Sequence, residues 1–259
     1  MIKYIKELNK IMTKIKNNAN FKFDLIILLP LIYFMKTNKY IKPEEFNMII
    51  TNDSLKIKEL KHYSFTDYNN CSDKIDDYLS SFSDEILELL PEDFDVTSAD
   101  FLLYELLTNV YKHSKFENAY EQIITDNNAK NIDICIFDNG IGIPESFKSA
   151  SMSSVDDCEA IYEAINGKTS DKEKYNLRGR GLNSSARLIT LGFNGEMLIA
   201  SGNGVCAITE DGARTYLNQN YIKGTFVIMQ IENKKVDNIY NYLKFEHINK
   251  LKEDNHDPN

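Results

Sequence analysis

One segment of the chain carries four chemically different polar side chains at helical spacing. They stand at positions i, i+4, i+7 and i+8, and they are Glu105, Asn109, Lys112 and His113. At about 100° per residue, these side chains share a stripe that is separate from the apolar stripe of the same segment. A carboxylate, an amide, an ammonium and an imidazole on one helix face form a chemically rich surface. An ordinary solvated face would show the same pattern, so this helix alone does not decide between the two.

A second motif directly follows a predicted strand. Asp138-Asn-Gly140-Ile-Gly142-Ile143-Pro comes after the alternating residues 132–137. Glycines two positions apart let the backbone approach a ligand closely. A tight turn explains this motif equally well.

Two further motifs also contain glycine. Arg178-Gly-Arg-Gly-Leu182 precedes a predicted helix, where exposed backbone N–H groups and the positive end of the dipole can hold an anion. Gly224-Thr225 opens the last predicted strand. The dinucleotide fingerprint is not present, because no third glycine follows at the required offset. A P-loop is also excluded, because no Gly-x-x-x-x-Gly-Lys-Ser/Thr sequence occurs.

Hydrophobic periodicity predicts the elements that position these motifs. The helix with the polar stripe begins near Thr97-Ser98, with Ser98 as its N-cap, and ends at His113. Asp211-Gly212 predicts a hairpin turn. Helices followed by hairpin-connected strands indicate an α+β fold with a largely antiparallel sheet. The other predicted helices cover residues 1–18, 72–90, 154–166 and 182–191, and the predicted strands cover residues 132–137, 196–201, 204–209, 213–216 and 224–231.

The length of 259 residues favours two domains over one. Residues 1–68 contain the apolar run 25–35 and a short predicted strand at 46–50, which together predict a small α/β accessory domain. No function can be inferred for it from its residues. Residues 69–235 carry every motif, and residues 236–259 are typical of a solvated C-terminal helix and a polar tail.

Composition and charge exclude several classes of protein. Hydrophobic residues make up 42% of the chain and charged residues 27%, which is typical of a globular protein. A net charge of −9 disfavours nucleic-acid binding. The four cysteines contain no C-x-x-C pair, which predicts free, mostly buried thiols.

The sequence also predicts a cytoplasmic protein that does not bind a membrane. The apolar run 25–35 is too short to cross a bilayer, and the N-terminus lacks a signal-peptide core. The basic helix 1–18 has the pattern of a membrane-surface helix, but such helices more often pack on their own domain.

In this order and spacing, the four motifs resemble the boxes of the GHKL superfamily of ATPases, which includes gyrase, heat-shock chaperone, histidine kinase and mismatch-repair types. The stretch from Glu105 to His113 is similar to the N box, and the three glycine motifs are similar to the glycine boxes. The resemblance covers about residues 70–235. It implies a two-layer α/β sandwich of the Bergerat type, with a mixed, mostly antiparallel sheet and helices on one face.

The resemblance implies ATP and Mg²⁺ as the cofactors. It implies that Asn109 would hold Mg²⁺ and that Asp138 would accept a hydrogen bond from the adenine amino group. Gly140 and Gly142 would let the backbone pass close to adenine. Thr225 would reach adenine through water.

The resemblance also implies contacts with the phosphates. The N–H groups of Gly179 and Gly181 would bind them from a mobile lid, and Lys112 would offset their charge. The full set of residues that we assign to the nucleotide site is Glu105, Asn109, Lys112, His113, Asp138, Gly140, Gly142, Ile143, Arg178, Gly179, Arg180, Gly181, Leu182 and Thr225.

Glu105 bears on the type of activity. Two-component histidine kinases usually carry Asn or His at this position, whereas ATP-hydrolysing members and anti-sigma-factor serine kinases carry Glu. In its N box the chain is therefore most similar to the anti-sigma-factor kinases. A carboxylate beside the γ-phosphate can orient or deprotonate water or a protein hydroxyl.

The chain departs from the two-component pattern in two places. His62 lacks the flanking residues of a phosphoacceptor histidine, and residues 145–177 form a long segment without the paired-Phe box. Loops of this length are usually functional or disordered. A lysine of this segment could close over the γ-phosphate, although solvated charge is the simpler interpretation. The candidates are Lys168, Lys172 and Lys174.

Three functions follow as hypotheses. The leading one is slow ATP hydrolysis or phosphorylation of a Ser or Thr on a regulatory partner protein, with Glu105 as the base. The second is a nucleotide-gated interaction module with little turnover. The third is a catalytic domain that phosphorylates a His on a separate protein. A homodimer is compatible with all three.

Overall fold

The structure is a computed structural model that describes residues 55–57, 61–64, 84, 90–126, 130–152, 156–169 and 181–251. The predicted helix 1–18, the apolar run 25–35 and the strand 46–50 lie outside the described residues, as does nearly all of the predicted helix 72–90. Arg178, Gly179 and Arg180 also lie outside them.

Six described strands form one sheet in which all strand pairs are antiparallel. The order is β1-β3-β4-β6-β5, and β2 pairs with β3 next to β1. The predicted α+β class with a largely antiparallel sheet is confirmed. The strands are β1 Leu55–Ile57, β2 Lys61–Ser64, β3 Asn118–Asp126, β4 Asn131–Asp138, β5 Glu196–Thr209 and β6 Gly212–Glu232.

Two pairs of predicted strands are single strands in the structure. The predicted strands 196–201 and 204–209 are both part of β5, and 213–216 and 224–231 are both part of β6. The register shifts between Ser201 and Gly204, so the residues that suggested a break form an irregularity inside a continuous ladder. The predicted hairpin is confirmed, but its turn lies one residue earlier than predicted, at Glu210-Asp211, because Gly212 already pairs with Thr209 as the first residue of β6.

The helices pack on one face of this sheet. Helix α1 covers Val96–His113, and its buried face includes Leu102, Leu103, Leu106 and Leu107. They share one core with the side chains of Ile132, Ile134 and Ile136 from β4. The remaining helices are α2 Gly142–Ser149, α3 Asp157–Ile165, α4 Gly181–Arg187, which continues as a π-helical turn over Leu188–Gly192, and α5 Tyr240–Leu243.

The predicted N-cap of α1 is wrong by three residues. Asp95 is the N-cap, and its carboxylate accepts hydrogen bonds from the backbone N–H of Ser98 at 3.1 Å and from the Ser98 hydroxyl at 3.1 Å. Both residue types cap helices well, and the carboxylate can satisfy an orphan N–H one turn into the helix. Asp95 also accepts from the backbone N–H of Val236 at 3.0 Å, so it links the start of α1 to the chain after β6.

Several elements were not predicted. Strand β3 was not predicted because its central residues, Glu121 and Gln122, are polar, although both are buried. Helix α2 lies partly in the segment 145–177 that we expected to be a loop. Among residues 236–251, only Tyr240–Leu243 is helical, and the residues after it dock on α3, α4 and β6 instead of forming a solvated helix. None of the helices in the described part of the chain has the length and apolarity needed to span a bilayer.

Candidate functional site

A pocket with about 950 Å³ of empty space, including its opening to solvent, lies between the helices and the sheet. Its walls are largely apolar, with a few polar groups among them, as is usual for small-molecule sites. The structure brings residues of all four motifs to this pocket. The predicted site residues that line it are Asn109, His113, Asp138, Gly142, Ile143, Gly181, Leu182 and Thr225.

The remaining predicted residues lie elsewhere or are not described. Lys112 is exposed and does not line the pocket, because its position on α1 points to solvent. Gly140 does not line the pocket but lies against Ser114, which does, and Glu105 lies beside Gly181. Arg178, Gly179 and Arg180 fall outside the described residues.

Asp138 ends β4, and the residue is 2% exposed. One oxygen accepts a hydrogen bond from the backbone N–H of Gly140 at 2.9 Å. Burial raises the pKa of Asp138 to about 7, against smaller opposing effects of the Gly140 and Thr225 backbone amides and the Ser114 hydroxyl. A carboxylate held in an apolar pocket with its charge poorly solvated favours a ligand that donates a hydrogen bond.

The glycines around Asp138 are required by contacts between backbone segments. A Cβ on Gly140 would lie 2.0 Å from the carbonyl oxygen of Ser114. Gly224, with φ +93°, would place a Cβ 1.8 Å from the carbonyl oxygen of Asp138 itself. Gly142 has φ +76°, a conformation that glycine adopts at little cost. We call Asp138, Gly140, Gly142, Gly224 and Thr225 the Asp138 end of the pocket.

Ser201 stabilises the Asp138 end, and sequence reasoning missed it. Its buried hydroxyl accepts from the backbone N–H of Ile143 at 3.0 Å and donates to the carbonyl oxygen of Gly224 at 2.7 Å. It therefore joins the second motif to the fourth. The irregularity in β5 begins at Ser201, but nothing in the sequence indicates which segments its hydroxyl would join.

Asn139 has a similar structural role. Its side-chain oxygen accepts from the backbone N–H groups of Glu117 at 3.0 Å and Asn118 at 2.8 Å. The amide thus fixes the turn after β4 to the start of β3. Its place inside the Asp-Asn-Gly motif, a typical turn sequence, was a signal that could have identified it.

The opposite end of the pocket joins the first motif to the third. A Cβ on Gly181 would lie 2.3 Å from Oε2 of Glu105 and 3.8 Å from Nδ2 of Asn109. The start of α4 therefore contacts the polar stripe of α1, and the nearest atom is the end of the flexible Glu105 side chain. We call Glu105, Asn109 and Gly181 the Glu105 end of the pocket.

The segment after α3 contributes a cation to the pocket wall. Lys168 lines the pocket, and its Nζ forms an ion pair with Oε1 of Glu163 at 2.6 Å. The other two candidate lysines, Lys172 and Lys174, lie outside the described residues. His62, the histidine that we set aside as a phosphoacceptor, pairs in β2 with Tyr120.

The residues present are compatible with ATP. Asp138 offers a buried acceptor for an amino group, and the apolar walls suit a planar base. Among the described residues, no three His, Cys, Asp or Glu side chains form a cluster suited to a metal ion. A Mg²⁺ ion here would therefore need phosphate oxygens and water beside the amide oxygen of Asn109, which is the usual way in which proteins hold Mg²⁺.

Comparison with known proteins identifies the family. Residues 95–232 match the model of the histidine kinase-, DNA gyrase B- and HSP90-like ATPases. No curated protein matches the chain. Because the family match spans more than half of the chain and includes both ends of the pocket, the chain belongs to this family of ATP-binding proteins.

Proposed function

We propose that this member of the histidine kinase-, DNA gyrase B- and HSP90-like ATPases binds ATP with Mg²⁺ and transfers the γ-phosphoryl group to water or to a Ser or Thr of a partner protein. The observation that carries the proposal is the convergence of two unlike polar ends in one apolar pocket. The Asp138 end suits a base, and the Glu105 end suits phosphates and a metal ion.

The Asp138 end would select adenine. The exocyclic amino group of adenine donates to the Asp138 carboxylate, whereas guanine has a carbonyl oxygen at the same place. An acceptor facing a buried carboxylate loses a hydrogen bond and adds repulsion. The N–H of Gly140 donates to one oxygen of this carboxylate at 2.9 Å, which supports a fixed acceptor for the base.

The Glu105 end would handle the phosphates. Asn109 would hold Mg²⁺, which offsets the negative charge of the phosphates when it is bound. Glu105 would accept the proton of the attacking hydroxyl as that oxygen bonds to the γ-phosphorus. The bond from the γ-phosphorus to the bridging oxygen breaks, and ADP leaves with those electrons.

A second function is favoured by the position of Glu105. Its carboxylate lies against Gly181 and is not part of the pocket lining. In this position Glu105 would couple α1 to α4, and ATP would shift that contact so that a partner protein reads the change. Turnover would then be minor.

One experiment separates the two functions. Release of phosphate from ATP, or transfer of the phosphoryl group to a captured partner, is measured for the unmutated chain, Glu105→Gln and Glu210→Gln. Glu210 is the matched control, because it is exposed and does not line the pocket. Turnover that is abolished by Glu105→Gln and preserved by Glu210→Gln supports the enzyme. If all three proteins bind ATP and none of them turns it over, the switch is supported.

The regulatory partner and the homodimer remain predictions. Capture of partners with and without ATP, followed by mapping of phosphorylated residues, tests the first. A phosphohistidine on the captured partner would favour the third hypothesis. Sedimentation with and without ATP tests the homodimer.

A further inference from the structure

The chain after the family match forms an ordered strap over the helices. We define the strap as residues 244–251, which lie beyond residues 95–232. Ile248 of the strap binds to Tyr162 in α3 and to Asn166, the residue after α3. Its carbonyl oxygen accepts from the Tyr162 hydroxyl at 3.0 Å and from Nδ2 of Asn166 at 3.3 Å, and its N–H donates to Oδ1 of Asn166 at 2.8 Å.

The strap is also bound to α4. Nδ2 of Asn183 donates to the carbonyl oxygen of Glu246 at 3.0 Å, and Oδ1 of Asn183 accepts from the Glu246 N–H at 3.4 Å. Arg187 adds a hydrogen bond to the carbonyl oxygen of Lys244 and an ion pair with Glu246 at 2.7 Å. Asn183 is fully buried, so its bonds are shielded from water.

A third attachment joins the strap to the sheet. The N–H of Ala213 donates to the carbonyl oxygen of Asn249 at 2.8 Å, and the N–H of Leu251 donates to the carbonyl oxygen of Ala213 at 2.8 Å. Three elements that are separate in sequence are therefore connected through one short segment.

Asn183 links the strap to the pocket. Besides Glu246, its Nδ2 donates to the carbonyl oxygen of Ile165 at 2.9 Å, at the end of α3. One amide therefore connects α3, α4 and the strap. The end of α3 and the residues after it form one wall of the pocket, and the start of α4 forms the adjoining wall. These walls consist of Ala164, Lys168, Thr169, Gly181 and Leu182.

We propose that the strap is a positioning element of the ATP pocket, and that Asn183 is the positioning residue through which it acts. The proposal rests on the proposed binding of ATP. A strap held in place keeps the α3 and α4 walls at a fixed separation, and its release lets them move apart. Any event that displaces residues 244–251 would therefore lower the affinity for ATP without touching the nucleotide.

The first test compares three variants of the full chain by calorimetric titration with Mg-ATP. Asn183→Ala removes the link between the walls, Asn166→Ala removes the bonds to Ile248, and Asn241→Ala removes an exposed amide in α5 as the matched control. We expect Asn183→Ala and Asn166→Ala to weaken ATP binding about fivefold or more, and Asn241→Ala to leave it unchanged. The melting temperature of each variant without ATP separates lost folding from lost positioning.

The second test uses the unmutated chain and remains decisive if Asn183→Ala does not fold. Coupling between two sites is reciprocal, so ATP must stabilise the strap as much as the strap stabilises ATP binding. ATP should slow hydrogen exchange at the Ile248 and Leu251 amides about fivefold or more. It should not slow exchange at the Asn233 amide, which bonds to Lys130 and is remote from the pocket lining.

The outcomes are distinguishable. Unchanged exchange at Ile248 and Leu251 when ATP is bound overturns the role of the strap and leaves the proposed function standing. Unchanged ATP affinity in folded Asn183→Ala and Asn166→Ala also overturns the role of the strap and leaves the proposed function standing. If the unmutated chain does not bind ATP, both proposals fail.

Discussion

The two ends of the pocket are built in different ways. The Asp138 end rests on paired strands and on close contacts between backbone segments, with Ser201 bridging Ile143 and Gly224. The Glu105 end is formed where two helices meet, and its contact is between the end of a flexible side chain and Gly181. The Asp138 end is therefore fixed by the fold, whereas the Glu105 end can adjust by rotation of one side chain. In our proposal, the Asp138 end selects the base and the Glu105 end responds to the phosphates.

The largest effect is expected from a side chain at the Asp138 end. Gly224→Ala places a methyl group on the carbonyl oxygen of Asp138 in a backbone conformation that alanine rarely adopts. We expect the free energy of unfolding to fall by at least about 4 kcal/mol, measured by urea titration. A loss below about 1 kcal/mol would show that this end adjusts as readily as the other.

The next effect comes from the Asp138 charge. Its pKa of about 7 in the fold exceeds the ordinary value of 3.8, so between these pH values the folded state binds more protons than the unfolded state. The contribution of Asp138 to the free energy of unfolding is therefore greatest below about pH 4, and it is lost as the pH rises through about 7. The loss is up to about 4 kcal/mol.

Urea titrations across this pH range test the prediction. Asp138→Asn should abolish this decline, and Asp237→Asn, at an exposed position, should retain it. A decline of the same size in Asp138→Asn would mean that another group causes it.

Nucleotide choice should show a somewhat smaller effect. At about pH 8 or above, where the Asp138 carboxylate is charged, we expect GTP to bind about 30- to 1,000-fold more weakly than ATP, because the guanine carbonyl faces that carboxylate at a cost of about 2–4 kcal/mol. Asp138→Asn should narrow the preference, since an amide can turn its donor toward guanine. The melting temperature of the protein with ATP or with GTP at equal concentration measures the preference for adenine. Equal increases with ATP and GTP would contradict the role of Asp138.

At the Glu105 end, removal of one side chain should affect binding but not folding. Asn109 is half-buried and lines the pocket, so Asn109→Ala should leave the melting temperature without nucleotide unchanged. We expect it to weaken Mg-dependent ATP binding by about tenfold or more, as the loss of a hydrogen bond or ligand to a charged group does. Unchanged affinity for Mg-ATP in this variant would exclude Asn109 as the metal ligand.

Of the two glycine substitutions, the smaller effect on stability is expected at Gly181. A methyl group there meets the Glu105 carboxylate, which can rotate away, so Gly181→Ala should change the free energy of unfolding by less than about 1 kcal/mol. The difference between the losses in free energy of unfolding for Gly224→Ala and Gly181→Ala measures how much more rigid the Asp138 end is than the Glu105 end. Similar losses for both substitutions would remove the basis of the comparison.

Sequence reasoning identified the motif-bearing elements but not all of the residues that support them. Helix α1 and strand β4 were predicted because their apolar residues recur at a clear period. Strand β3 was not predicted, because buried Glu121 and Gln122 interrupt its pattern. Asn183 was also missed, because its partners at Ile165 and Glu246 lie in other elements, and no local pattern marks a polar residue that the fold buries.

Local sequence patterns are sufficient to predict which chemical groups each motif presents. The polar stripe of Glu105 and Asn109 follows from helix geometry, and the position of Asp138 at the end of β4 follows from strand alternation, because both depend only on near neighbours. Three contacts arise only from long-range packing: Gly181 lies against Glu105, Ser201 joins Ile143 to Gly224, and the strap crosses α3 and α4. These contacts depend on strand register and helix packing, which no short stretch of sequence specifies.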